Sequence, residues 1–262
     1  MESRWRPASD RKQKKQTLGH CLTNYEAIRA HVGVQRNCTN GYDVVYATRR
    51  SRKGESLLKE KISVICEKPL VDNFNQIKLL KKLLVKKKSF LRITYNYTGY
   101  PMIRALKELI EKGKLEKINQ LNFEMPQDAF SKYTSSNIKP KSWRLRDKYM
   151  PNICSDLGSH LYNLASFLTS NHPNRVMSNF FNQSKYKNLV DNAYFWLQYK
   201  NGQKASFWIS KTSIGIRNGL MVRIFGKKGT AVWHQMKPEE LRIFKLDGSE
   251  VVLDRGNKKL LS

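Results

Sequence analysis

The stretch ISVICEKPLVDN, residues 62–73, decides how the rest of the chain is read. Its apolar half, ISVIC, is the continuous β-branched run of a strand buried on both faces of a parallel sheet. It then halts on Glu67, Lys68 and Pro69. Pro69 removes a backbone donor and ends the ladder, which fixes the exit of the chain. In open α/β sheets the crevice beyond the carboxyl ends of the strands is where ligands bind, so a Glu-Lys pair there points either to a ligand or to the solvated start of a loop. From position alone both readings stand.

Working outward, DVVYAT (43–48) reads as another strand, GESLLKEK (54–61) as a short helix, and NFNQIKLLKKLLVKKK (73–88) as an amphipathic helix with Phe74, Ile77, Leu80 and Leu84 on its apolar stripe. Strand, helix, strand, helix is a βαβ unit, whose right-handed crossover brings the carboxyl ends of the strands to one edge. SFLRITYNYTGY (89–100) is a further strand candidate. PMIRALKELIEKGKL (101–115) is a helix, with Pro101 at its first position and Gly113 past its last. EKINQLNFEM (116–125) reads as a strand and CSDLGSHLYNLASFL (154–168) as a helix, with Leu157, Leu161, Leu164 and Leu168 on one stripe. Three hairpins follow, the first turning on Asn201-Gly202 between NAYFWLQYK and QKASFWIS. Only a short helix over Tyr25–His31 is legible in residues 1–42.

The expected fold class is therefore α/β plus α+β. An incomplete Rossmann-like parallel sheet over residues 1–90, poorly defined over 1–42, precedes a mostly antiparallel open sheet packed against helices over 91–262.

Composition narrows the function. The 262 residues hold 49 Lys+Arg against 21 Asp+Glu, a net charge of +28, and are 40% hydrophobic. That balance draws acidic partners and would suit nucleic acid. The positive charge is nevertheless spread along the chain and carried mainly by lysine, the residue of solvated faces, and no helix-turn-helix, zinc-finger or RNA-recognition signature occurs. A nucleic-acid partner is the disfavoured reading. Cys21, Cys38, Cys66 and Cys154 form no CxxC pair, so neither a zinc ribbon nor a disulfide framework is expected, and no metal. With no apolar leader behind the basic N-terminus and no run of ~20 apolar residues, the expectation is a cytoplasmic chain without a membrane partner.

A second constellation is SDLGSH (155–160). On an α-helix Asp156 and His160 stand four apart on one face, with Asn163 a turn further on. A carboxylate beside an imidazole can orient it and raise its basicity, as a general base needs near neutral pH; the bland alternative is an N-cap or a surface hydrogen bond.

Taken in order, VICEKPL, YNYTGYPMIRALKELIEKGKLEKI, WRLRDKYMPNICSDLGSHLYNLASFL and NGQKASFWISKTSIGIRNGLMVRIFGKKGTAVW resemble the Gfo/Idh/MocA family of NAD(P)-dependent oxidoreductases, over about residues 43–250. The resemblance implies that Lys68 touches both the substrate hydroxyl and the nicotinamide ribose. It implies that Asp156 and His160 are the carboxylate and base of the substrate domain, and that Tyr97, Trp143, Arg144 and Asn163 line a sugar or polyol pocket. Thr48, Glu67 and Lys68 would meet the cofactor, NAD or NADP. It implies pairing of copies through the open sheet.

The sequence departs from the family at its start. It has no GxGxxG, its early glycines Gly19, Gly33 and Gly41 lack flanking elements, and only 66 residues precede Glu67. Thr48 is kept, but its neighbours read RRSRKGE. The expectation is a truncated or degenerate first half with a weakened grip on the cofactor diphosphate. The chain would then be a sugar or polyol dehydrogenase, active or decayed, or a non-catalytic binding and assembly protein of that descent.

Overall fold

A computed structural model describes residues 34–36, 44–47, 58–59, 63–71, 74–87, 90–135, 139–147 and 149–256. The helix read at Tyr25–His31 and the cofactor contact read at Thr48 lie outside them. The chain divides into two compact units, Met1–Thr94 and Tyr95–Ser262.

In the first unit, β1 (Val34–Arg36), β2 (Val44–Ala47), β3 (Ser63–Glu67) and β4 (Leu91–Thr94) form a sheet in that order. β2, β3 and β4 are parallel, and β1 lies antiparallel on the edge of β2. The parallel trio is the βαβ frame that the apolar runs predict, while β1 is a strand that sequence reading missed. Helix α1 (Phe74–Lys87) makes the crossover between β3 and β4. Leu58, Val64, Cys66 and Leu80 are its buried core, with Leu70, Val71, Leu83, Leu84 and Leu91 packed around them. The apolar stripe is thus turned from the one expected. Leu83 joins Leu80 and Leu84, whereas Ile77 is 38% exposed, because the pair at i+3 and i+4 from Leu80 centres the buried face. The SFLRITYNYTGY strand is also shorter than its pattern suggested, ending at Thr94 before a 3₁₀ turn over Asn96–Gly99.

The second unit is an eight-stranded sheet with helices on one face. Its strands are β5 (Ile118–Pro126), β6 (Pro173–Phe181), β7 (Asn192–Tyr199), β8 (Lys204–Ser210), β9 (Met221–Gly226), β10 (Gly229–His234), β11 (Glu240–Lys245) and β12 (Glu250–Asp254). They lie in the order β12-β11-β10-β9-β5-β8-β7-β6, antiparallel throughout except for the β5–β8 pair. Alternation explains the two faces: Leu121, Phe123, Phe207, Ile209, Val222, Ile224 and Trp233 point to the core, and their neighbours point away. Helix α2 (Pro101–Glu111) contributes Met102, Ile103 and Leu106 to that core. The four leucines at 157, 161, 164 and 168 complete it, as their spacing predicts. A short helix α3 (Ala129–Ser135) follows β5, and α4 (Ser159–Thr169) precedes β6. β6 carries no alternation in its sequence and is exposed along most of its length, as an edge strand opening on Pro173 can be.

Helix α2 stops where the sequence says it should. Gly113 adopts φ +66°, its N–H bonds to Ile110 O at 3.0 Å, and Lys114 N–H bonds to Leu109 O at 2.9 Å, the double closure of a left-handed cap. Gly113→Ala is expected to cost about 1 kcal/mol at this φ, read as a shift of the denaturation midpoint; no shift would contradict the role given to the cap.

Candidate functional site

The chemistry-bearing side chains of the second unit gather around α4. The segment leading into it, Cys154–Gly158, is a π turn and not the α-helical turn the DxxxH spacing suggested. One wide turn in a helix shifts the residues before it relative to those after, and such turns occur often at functional sites. Gly158 lies close against β8, since a Cβ there would meet Ile209 Cδ1 at 3.6 Å.

Asp156 leaves this turn into a pair of cations. Its Oδ2 accepts from Arg144 Nη1 at 3.0 Å and from Lys211 Nζ at 3.0 Å. Arg144 sits on the 3₁₀ turn Ser142–Leu145, with its guanidinium 4.4 Å from the Trp143 ring centroid. Trp143 remains exposed, and its carbonyl accepts from Asn152 Nδ2 at 3.2 Å. Asp147 binds the loop on both sides, accepting from Asn152 N–H at 2.7 Å and from Val190 N–H at 2.8 Å.

His160 is buried, and its ring meets Tyr97 edge-on at 4.7 Å and Tyr95 at 5.9 Å. Tyr97 is buried on the Asn96–Gly99 turn, with the Gln235 side chain acting on its hydroxyl. Burial pushes the Tyr97 hydroxyl pKa above its usual value, Gln235 opposes this, and the Tyr100 and Asp156 charges add to the rise. The phenol is therefore a proton donor at neutral pH. Tyr95 is raised by burial as well, against a bond from Ser159. Asn163 stands one turn beyond His160, its amide oxygen buried and without a hydrogen-bond partner among the described residues. The Cys154 thiol is pushed up to about 12, first by burial and then by Asp147, so it stays protonated and is no nucleophile.

The structure thus brings Tyr97, Trp143, Arg144, Asp156 and His160 into one neighbourhood, with Asn163 on the next turn. Sequence reasoning missed Lys211 and Gln235. The signal for Lys211 was present: SFWISK, like SVICEK, is a buried strand that finishes on a lysine. In the first unit, Glu67 ends β3, the middle strand of the parallel trio, and Lys68 follows it, both half-buried. Thr94 Oγ1 donates to Cys66 O at 3.3 Å and ties the ends of β3 and β4 together. No group of three or more metal-ligating side chains occurs among the described residues.

Residues 103–232, which carry Trp143, Arg144, Asp156, His160, Asn163 and Lys211, match the family model described as the GFO/IDH/MocA C-terminal domain. That span is a Gfo/Idh/MocA C-terminal domain. Among curated proteins, this chain is 25% identical to the oxidoreductase YfiI of Bacillus subtilis over 84% of its own length and 58% of that protein's. It is 20% identical to the levoglucosan dehydrogenase of Pseudarthrobacter phenanthrenivorans, over 69% of its length and 51% of that enzyme's. An inositol dehydrogenase homolog of Azotobacter vinelandii, solved with NAD+, shares the fold at a TM-score of 0.76 and 22% identity, covering 82% of this chain and 57% of that one. This chain spans little more than half the length of the relatives it matches. Among the described residues no helix is long and apolar enough to cross a membrane.

Proposed function

We propose that this chain takes part in NAD(P)-dependent oxidation of a secondary alcohol on a sugar or polyol. The observation that carries the reading is the cluster on and around α4: a buried imidazole against Tyr97, with a doubly ion-paired carboxylate on the preceding π turn, the imidazole and the carboxylate both within the span that matches the family model. Relatives support the substrate class, since the Azotobacter homolog is also solved with NADH and myo-inositol, and a levoglucosan dehydrogenase with NADH and levoglucosan.

In this reading His160 is the general base that takes the hydroxyl proton. Lys68 holds the alcohol oxygen and offsets its developing negative charge. Asp156 orients the imidazole or a second hydroxyl of the sugar. Tyr97 donates to a sugar oxygen, Trp143 supplies an exposed ring for an apolar sugar face, and Arg144 and Asn163 add polar contacts beside it. A nicotinamide, when bound, accepts the carbinol hydride. Glu67 and Lys68, at the carboxyl end of a parallel strand, fit the ribose end of such a cofactor, with Thr48 assigned beside them by resemblance. Among the described residues no glycine-rich strand-to-helix turn stands with them to cradle a diphosphate. Isothermal titration with NADH and NADPH tests this: submillimolar binding of either supports the reading, and failure of both to bind would remove the cofactor from it.

The outer face of the large sheet favours self-association as a second property. Met177 faces Trp196, and Tyr194 stacks on Trp208 at 6.0 Å, with Tyr194 and Trp196 substantially exposed. An aromatic strip of this kind suits a second copy of the chain through the same face. Trp196→Asp is expected to convert an oligomer to a monomer by light scattering; an unchanged mass would move the interface elsewhere.

A further inference from the structure

We propose that Lys211 is a positioning residue of the dehydrogenase site, its buried ammonium fixing the orientation of the Asp156 carboxylate for the reaction. The proposal rests on the dehydrogenase reading above.

Lysine is almost never fully buried without a partner, and the side chain of Lys211 is 1% exposed. Its ammonium is 3.0 Å from Asp156 Oδ2 and 5.3 Å from the Phe130 ring centroid. Stability does not explain it. A buried ion pair usually stabilises no better than apolar side chains of the same volume, so Met at 211 opposite an uncharged residue would pack as well.

The second argument is redundancy. Arg144 already pairs with the same oxygen, but from a short surface turn and with its side chain 28% exposed. Lys211 comes from the rigid side. Its own N–H bonds to Asp191 O at 2.9 Å, and its carbonyl accepts from Phe130 N–H at 2.8 Å. Its neighbours are pinned too: Thr212 N–H donates to Ser210 Oγ at 3.1 Å, and Asn192 Nδ2 donates to Thr212 Oγ1 at 2.9 Å. A site geometry held to fractions of an ångström needs this kind of support behind the groups that act. Arg144 brings charge, and Lys211 brings a fixed point at the end of β8. Burial is the main cause that raises the pKa of the Tyr97 hydroxyl, on the residue packed against His160, and the carboxylate so held adds a smaller rise.

The experiment is a double-mutant cycle of Lys211→Met and Asp156→Asn in the full chain. Turnover is followed with NAD+ or NADP+ and myo-inositol or levoglucosan, and the folded fraction by circular dichroism. Lys211→Met is expected to lower kcat per folded molecule about tenfold to a hundredfold with KM little changed, and to have almost no further effect once Asp156 is Asn. Lys211→Arg, which keeps the cation, should recover most of kcat. A readout free of the cofactor is the slowly exchanging ¹⁵N signal expected of the Lys211 ammonium, which Asp156→Asn should abolish. Equal factors in both backgrounds overturn this proposal alone, whereas absence of turnover in the wild-type chain overturns the dehydrogenase reading with it. Should Lys211→Met fail to fold, Lys211→Arg decides: a folded Arg variant that loses kcat a hundredfold overturns the proposal.

Discussion

Replacing His160 by Gln is expected to lower kcat/KM for alcohol oxidation by about three orders of magnitude or more, with the fold kept. Positioned proton transfer is worth roughly 10²–10⁴ in rate, and Gln matches imidazole in size without accepting a proton near neutral pH. His160 is 5% exposed and packs edge-on against Tyr97 at 4.7 Å. The Tyr97 contact also argues for Gln over Ala, because a deletion would leave a hole beneath that ring and mix a packing loss with a chemical one. Reduced-nicotinamide absorbance reports turnover and near-ultraviolet dichroism reports the packing of Tyr97. A loss of less than tenfold would take His160 out of the base role.

The largest stability effect is expected at Trp233, on β10. Its ring is 0% exposed, lies 5.3 Å from Tyr100 at the start of α2, and its Nε1–H donates to Pro238 O at 3.1 Å. Trp233→Ala empties the space between the sheet and α2 and strands a carbonyl, a combined loss of about 3–5 kcal/mol. Tyr100 precedes Pro101 and follows the turn that carries Tyr97, so the same substitution should loosen the aromatic contacts of His160. Chemical denaturation measures the first effect; a loss under about 1 kcal/mol would show that the sheet and α2 do not share one core.

What was legible in the sequence was whatever its periodicity carried alone. ISVIC and DVVYAT gave parallel strands because buried parallel strands are apolar without alternation. The stripe from Leu157 to Leu168 gave the face of α4, and Asn201-Gly202 gave its hairpin. The π turn at Cys154–Gly158 was not legible, since no side-chain pattern distinguishes a wide turn from an α-helical one in five residues. β6 was hidden because an exposed edge strand has no buried face to impose alternation. Among the candidate site residues, Asp156 and His160 stood out by spacing, while Tyr97, Trp143 and Arg144 came from family resemblance. The strand-then-lysine pattern marks Lys211 as it marks Lys68, but not its burial, which is declared by a partner 55 residues away. Sequence offers no measure of such a distance.

The most direct measurement is hydride transfer by a preparation already shown to bind NAD+ or NADP+. The wild-type chain is mixed with the cofactor and a panel of sugars and polyols, and the formation of reduced nicotinamide is followed. The account predicts reduction with at least one secondary alcohol, lost in the His160→Gln chain. Cofactor binding with no reduction by any member of the panel would contradict it.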